Sequence, residues 1–138
     1  MLVPVDGSAP AHRAVRHVVA LAGRDPSFEA VLLNVQPEVD EWSVRRVLRP
    51  EEIEAMEVSR GGDVLRPECG VLKAAGVRFT PLVAIGQAAE TIVSVATEQG
   101  CDGIVMGTRG QGLVAGVLMG SVSTQVLRLT GLPVMLIK

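Results

Sequence analysis

The sequence is poor in the residues that nucleic-acid binders use. Of its 138 residues only Lys73 and Lys138 are lysine, and the formal net charge is -2. A dedicated nucleic-acid binder usually carries a basic stripe, which this chain does not supply. Tyrosine is absent, and Phe28, Phe79 and Trp42 are the aromatics, too few for a platform on which bases stack. The two cysteines, Cys69 and Cys101, stand far apart and form no C-x-x-C pair. They read as reduced, core-type thiols of a cytosolic protein. No apolar run approaches the ~20 residues a membrane-crossing helix needs, and Asp6 interrupts the first apolar run too early for a secretory leader. The expectation is a cytoplasmic protein with neither a membrane nor a nucleic acid as partner.

Apolar residues make up 48% of the chain and charged residues 20%, enough for a real core in a chain close to one ordinary domain. Leu2 to Asp6 reads as a strand, although Pro4 is awkward in a central one because it donates nothing to the ladder. Gly7-Ser8 turns the chain, and Ser8 caps a helix with Pro10 in its first turn and Gly23 at its end. Ala30 to Val35 is apolar but for Asn34, a pattern that suits a strand buried on both faces. A polar stretch follows from Gln36. Pro50-Glu51-Glu52 starts a helix that runs towards Ala75, with Gly61-Gly62 and Pro67 expected to break or kink it. Val77 to Ala84 is a strand, Gln87 to Gln99 a helix and Ile104 to Met106 a short strand. Ser121 to Leu129 is a helix, and Pro133 to Ile137 a last strand. Strand and helix alternate throughout, with no repeat, low-complexity tract or linker. The fold class is therefore α/β: one domain over 1–138, an open five-stranded parallel sheet in the order 3-2-1-4-5, helices on both faces.

The stretch "GTRGQGLVAGVLMGS", residues 107 to 121, holds five glycines between the fourth strand and the last helix. Glycine there costs conformational entropy and offers no packing. A Walker phosphate loop needs a lysine that is missing, and the Rossmann G-x-G-x-x-G belongs after the first strand, where only Gly7 stands. Gly112, Gly116 and Gly120 are spaced four apart like a helix-packing seam, but their apolar run is too short to span a bilayer. A purely structural turn and an anion site made of backbone N–H groups remain. In the anion reading Gly107 and Gly110 let the loop curl, and Gly120-Ser121 opens a helix whose positive end attracts phosphate. The hydroxyls of Ser121 and Ser123 add donors, and Arg109 is the only cation nearby.

Gly107-x2-Gly110-x9-Gly120-Ser121 resembles the ATP-binding signature of the universal stress protein family. "LVPVDGS", "LLNV", "GQAAETIVSVATEQGCDGIVMGTRG" and "PVMLI" are similar to further segments of that family along almost the whole chain. The resemblance implies a sensor or regulator of the stress response that binds ATP, ADP or AMP. It implies that Pro4, Val5 and Asp6 line the adenine and ribose side, with Val35 beside the base. Met106 and Gly107 follow the fourth strand, while Gly110, Gly120, Ser121, Val122 and Ser123 hold ribose and phosphates. Asp6 either contacts the nucleotide, directly or through Mg²⁺ or Mn²⁺, or simply ends a strand and caps a turn. Family members commonly form homodimers through the last strand, here Pro133 to Ile137, which the expected order places at a sheet edge.

The remaining polar residues point to no chemistry. His12 and His17 are five apart, whereas metal-binding pairs on a helix prefer four, and both read as surface residues. No Ser-His-Asp arrangement or G-x-S-x-G elbow occurs. Arg45, Arg46 and Arg49 read as a solvated face. Trp42 covers the pocket, meets another subunit or anchors its own loop. Without a lysine or an evident base, fast phosphoryl transfer is not expected. The alternatives to a nucleotide-binding regulator are a slow ATPase and a nucleotide-free dimeric scaffold.

Overall fold

A computed structural model describes residues 1–38, 50–109 and 119–138. Trp42, Arg45, Arg46, Arg49, Gly110, Gly112 and Gly116 lie outside the described residues. The elements are β1 (Leu2–Pro4), α1 (Ala9–Ala22), β2 (Glu29–Gln36), α2 (Pro50–Ala74), β3 (Arg78–Ile85), α3 (Ala88–Glu98), β4 (Ile104–Gly107), α4 (Ser121–Leu129) and β5 (Val134–Ile137). The strands form one sheet in the order β3-β2-β1-β4-β5, and every pairing is parallel. This is the architecture expected from the sequence.

The continuous apolar runs follow from burial on both faces. Successive residues of a strand point to opposite faces, and here both faces are covered. Val3, Leu32 and Val105 face Ala14, Val15 and Val18 of α1 and Leu65 and Leu72 of α2. Their chain neighbours Leu2, Leu33 and Ile104 face Ala89, Ile92 and Ala96 of α3 and Val126 of α4. Each such side chain contributes about 1.5–3 kcal/mol when fully buried. Cys69 packs at the border of the first core and Cys101 at that of the second, so the sheet separates them. Burial pushes both thiols up from their ordinary range, which lowers the reactive thiolate fraction.

Two expectations change. Helix α2 runs unbroken from Pro50 to Ala74 with Pro67 inside it. Pro67 and Asp63, whose carbonyl loses its helical partner to the proline, are both on the exposed side of the helix. Gly61 is buried against the sheet: a Cβ there would lie 2.4 Å from Val83 Cγ1 and 3.0 Å from Asn34 Oδ1. The glycine lets α2 settle on β2 and β3 instead of breaking the helix. The second change concerns His12, which is a half-buried tie between helices rather than a plain surface residue. Its Nδ1 stands 2.9 and 3.0 Å from the two carboxylate oxygens of Glu68 on α2, and Glu68 is buried. A buried carboxylate needs such a partner.

The two adjacent glycines of α2 should therefore respond oppositely to alanine. Gly61→Ala should lower stability by about 1–3 kcal/mol through overpacking. At Gly62 nothing lies within 4 Å of an added Cβ, and Gly62→Ala should raise stability by about 0.5–1 kcal/mol. Urea midpoints measured at constant slope check both signs.

Candidate functional site

The cleft begins with a missing donor. In β1 the Leu2 N–H donates to Gly103 O on the β4 side at 2.9 Å. Strand alternation places the Pro4 nitrogen on that same side, and proline has no N–H. The β1–β4 register consists of Leu2↔Ile104, whereas β1 pairs with β2 at Leu2, Val3 and Pro4. Beyond Leu2 the ladder between the two strands does not continue. The chain then leaves β1 for α1 on one face and β4 for α4 on the other, so a crevice opens at the switch in strand order.

Both walls of the crevice are pinned by short hydrogen bonds. After β1, the Val5 N–H donates to Leu33 O at 2.7 Å. Ser8 N–H donates to Asp6 Oδ1 at 2.9 Å, and Gly7 between them has φ +81, a left-handed turn that favours glycine. Ser8 Oγ then caps α1 by accepting from Ala11 N at 3.3 Å. After β4, one carbonyl gathers the chain: Thr108 O accepts from Gly120 N at 2.6 Å and from Ser123 Oγ at 2.8 Å. The start of α4 is thereby fastened to the end of β4. Gly107 lies against the first turn of α1, where a Cβ would stand 2.7 Å from Pro10 Cβ and 3.0 Å from Ala11 N.

These elements enclose a cleft of about 240 Å³. It gathers Pro4, Val5 and Asp6 from β1 and its exit, Val35 from β2, Met106 and Gly107 from β4, and Gly120, Ser121, Val122 and Ser123 from the start of α4. All the candidate residues are thus brought together except Gly110, which lies outside the described residues. Val5 is not part of β1, which stops at Pro4. Ser123 is buried, and its hydroxyl lies 2.8 Å from Thr108 O and 3.1 Å from Gly120 O, so its one proton is directed to a carbonyl of the chain. It reaches the cleft as a fastener of the loop rather than as a hydroxyl donor. Ser121 is exposed at the rim.

The lining also includes Ser8, Ala11, Leu33, Ala88, Ile92 and Arg109, which the sequence reading did not place in the site. Leu33 shares a strand face with Val35, and Ile92 stands one turn after Ala88. Periodicity alone connects these, once α3 is known to start at the same end of the sheet. The ends of the cleft differ chemically. Leu33, Val35, Ile92, Met106 and Val122 make an apolar wall, while Asp6, Ser8, Arg109 and Ser121 are the polar groups. Gly120 caps α4 without any side-chain hydrogen bond, so the first-turn N–H groups of that helix face the cleft with the positive end of its dipole. The arrangement suits a ligand with a flat apolar part and an anionic part.

Comparison with known proteins gives a consistent result. The model of the family described as Universal stress protein family matches residues 1–138. Universal stress protein MJ0531 of Methanocaldococcus jannaschii is 28% identical over 145 residues, covering 100% of this chain and 81% of that relative. Universal stress protein MJ0577 of the same organism is 31% identical over 67 residues, which is 49% of this chain and only 41% of that relative. The solved structure of MJ0577 superposes with a TM-score of 0.86 at 28% identity, covering 99% of this chain and 93% of that one. A universal stress protein in complex with cAMP superposes with a TM-score of 0.73 at 24% identity, covering 99% of this chain and 94% of that one. That last likeness is one of fold.

The contact at Gly107 yields a test of how the walls are held. Pro10 and Ala11 offer stiff ring and backbone atoms there, which do not give way cheaply. Gly107→Ala should destabilise the protein by about 1–3 kcal/mol and displace the first turn of α1. Thermal unfolding together with amide shifts of Ser8 to His12 reads both effects.

Proposed function

The chain belongs to the universal stress protein family, and we propose that it is a cytoplasmic stress-response regulator that binds an adenine nucleotide, its residues 1–138 acting as one domain. The observation that carries this reading is the start of α4. A helix with no side-chain cap opens on a cleft that also carries an apolar wall. Phosphate oxygens satisfy the first-turn N–H groups of such a helix and gain from its dipole, while the wall of Leu33, Val35, Ile92 and Met106 takes a base. Pro4, Val5, Asp6 and Val35 then lie on the nucleoside side. Gly107, Gly110, Gly120, Ser121, Val122 and Ser123 hold the ribose and phosphates. The ligand is ATP, or ADP or AMP.

A metal enters this reading only with the nucleotide. No group of three or more His, Cys, Asp or Glu among the described residues is placed to hold a cation. Mg²⁺ and Mn²⁺ keep water and phosphate oxygens around them and take few carboxylates, so Asp6 supplies at most one protein ligand. Its carboxylate also accepts from Ser8 N in the turn, and the two roles are compatible because a carboxylate has several acceptor positions. Slow hydrolysis is the reading from another class, and phosphate release followed over hours separates it from simple binding. No helix among the described residues is long and apolar enough to cross a membrane.

Assembly completes the proposal. Strand β5 is one edge of the sheet, with Met135 on it and Leu127 and Leu129 on α4 exposed. Two copies pairing Pro133 to Ile137 across a two-fold axis cover that edge on both sides.

Nucleotide binding is tested first by mass analysis of whatever leaves the purified protein on denaturation, then by calorimetry on Gly120→Val. The Gly120 backbone is extended, with φ -77 and ψ 167, a conformation valine adopts readily, so the variant should fold. Its side chain takes the space in front of the helix start, and ATP binding should be abolished; undiminished affinity would sink the phosphate assignment. For the dimer, light scattering should give twice the chain mass at micromolar concentration. Met135→Glu, which leaves the β4–β5 ladder intact and sets like charges opposite each other on the shared edge, should give the monomer.

A further inference from the structure

We propose that Asn34 is a positioning residue for the end of β1 that faces the nucleotide, an inference that rests on the adenine-nucleotide reading. Asn34 does not line the cleft; it lies beneath it, on the α2 side of the sheet, and is 2% exposed. Its Nδ2 donates to the carbonyl of Val5 at 2.7 Å. Its Oδ1 accepts from Gln36 Nε2, also at 2.7 Å. The pattern of donors is forced. A carbonyl only accepts, so Asn34 must present its NH₂ to Val5 and its oxygen to Gln36, which must then present its own NH₂. The Val5 carbonyl therefore fixes which way the Asn34 amide faces, and Gln36 holds its oxygen.

What makes this pair more than a satisfied core amide is the state of β1. Pro4 offers no N–H to β4, and the β1–β4 register is limited to Leu2↔Ile104. Past Pro4 the described backbone tethers come from the β2 side: Val5 N–H to Leu33 O and Asn34 Nδ2 to Val5 O. Val5 stands between Pro4 and Asp6, and all three line the cleft. The side chain of Asn34 thus replaces the ladder where the strand has left it, and it sets the peptide plane from which the Asp6-Gly7-Ser8 turn departs. Water does not substitute for it, because Gly61 of α2 packs down onto the amide.

The test compares affinities for ATP, AMP and adenosine by calorimetry on the whole chain, well below the melting temperature. Asn34→Leu keeps the approximate shape and leaves the Val5 carbonyl without its donor. All three affinities should fall at least tenfold and by a similar factor, because the end of β1 serves the nucleoside that the three ligands share. A residue that merely stabilised the fold would lower the melting temperature and leave adenosine affinity unchanged, and that result overturns the proposal. So does a loss that grows with each phosphate, which would place the effect at the start of α4. Should Asn34→Leu fail to fold, Gln36→Ala decides: half-buried at the end of β2, it leaves the backbone paired but removes the donor that holds Asn34 Oδ1. It should weaken all three ligands several-fold, and unchanged affinities overturn the proposal. If the parent protein binds none of the three, the nucleotide reading itself fails, a result visible before any variant is made.

Discussion

A proline in the central strand is the constraint on which the rest of the site depends. A parallel sheet with both faces covered has no obvious place for a cleft, since its strands are held to both neighbours along their length. Here the strand that lies between β2 and β4 loses a donor at Pro4, on the side of β4. The ladder stops at the point where the chain diverges to opposite faces, and Pro4, Val5 and Asp6 line the cleft there. A non-proline residue could extend the pairing and narrow the crevice. The hydrogen-bonding cost of proline in a strand is thus tied to the existence of the site.

The opposite wall depends on one carbonyl and one absent side chain. Thr108 O receives both Gly120 N and Ser123 Oγ, which fixes where α4 begins relative to β4. Gly107 lets the first turn of α1 approach β4 to a separation that no Cβ tolerates. The glycines of this region therefore do different things. Gly7 supplies a left-handed turn with φ +81. Gly107 supplies a close approach. Gly120 has an ordinary backbone, and its contribution is to cap a helix without an acceptor of its own.

The order of elements and the sheet topology were legible in the sequence because they depend on patterns local to each segment. Residues such as Leu32 and Leu33, both fully buried, announce a strand covered on two faces. Gly107, Gly120 and Ser121 stood out through their spacing and their resemblance to a known signature. What the sequence concealed depends on contacts between distant segments. Gly61 reads as a helix breaker until the sheet beneath it is known, and Pro67 reads as one until its exposure is known. His12 has no visible partner within its own helix, because Glu68 is 56 positions away. Asn34 interrupts an apolar run and looks like a blemish in a strand. Its partner Val5 is 29 positions distant, and nothing in either segment announces the other.

The chemical character of the site follows from these supports. Arg109 is the single cation in the described lining, and lysine is nearly missing from the whole chain. On the proposed reading, recognition of an anion falls mainly on N–H groups of the backbone and on a helix dipole. Such donors cost little reorganisation when a ligand arrives, but their aim is set by whatever holds the backbone. A lysine-based site is adjusted by changing the lysine. This one is adjusted through residues such as Gly107, Thr108, Ser123 and Asn34, some of which never meet the ligand. Affinity in a site of this kind is a property of how the strand ends are fastened.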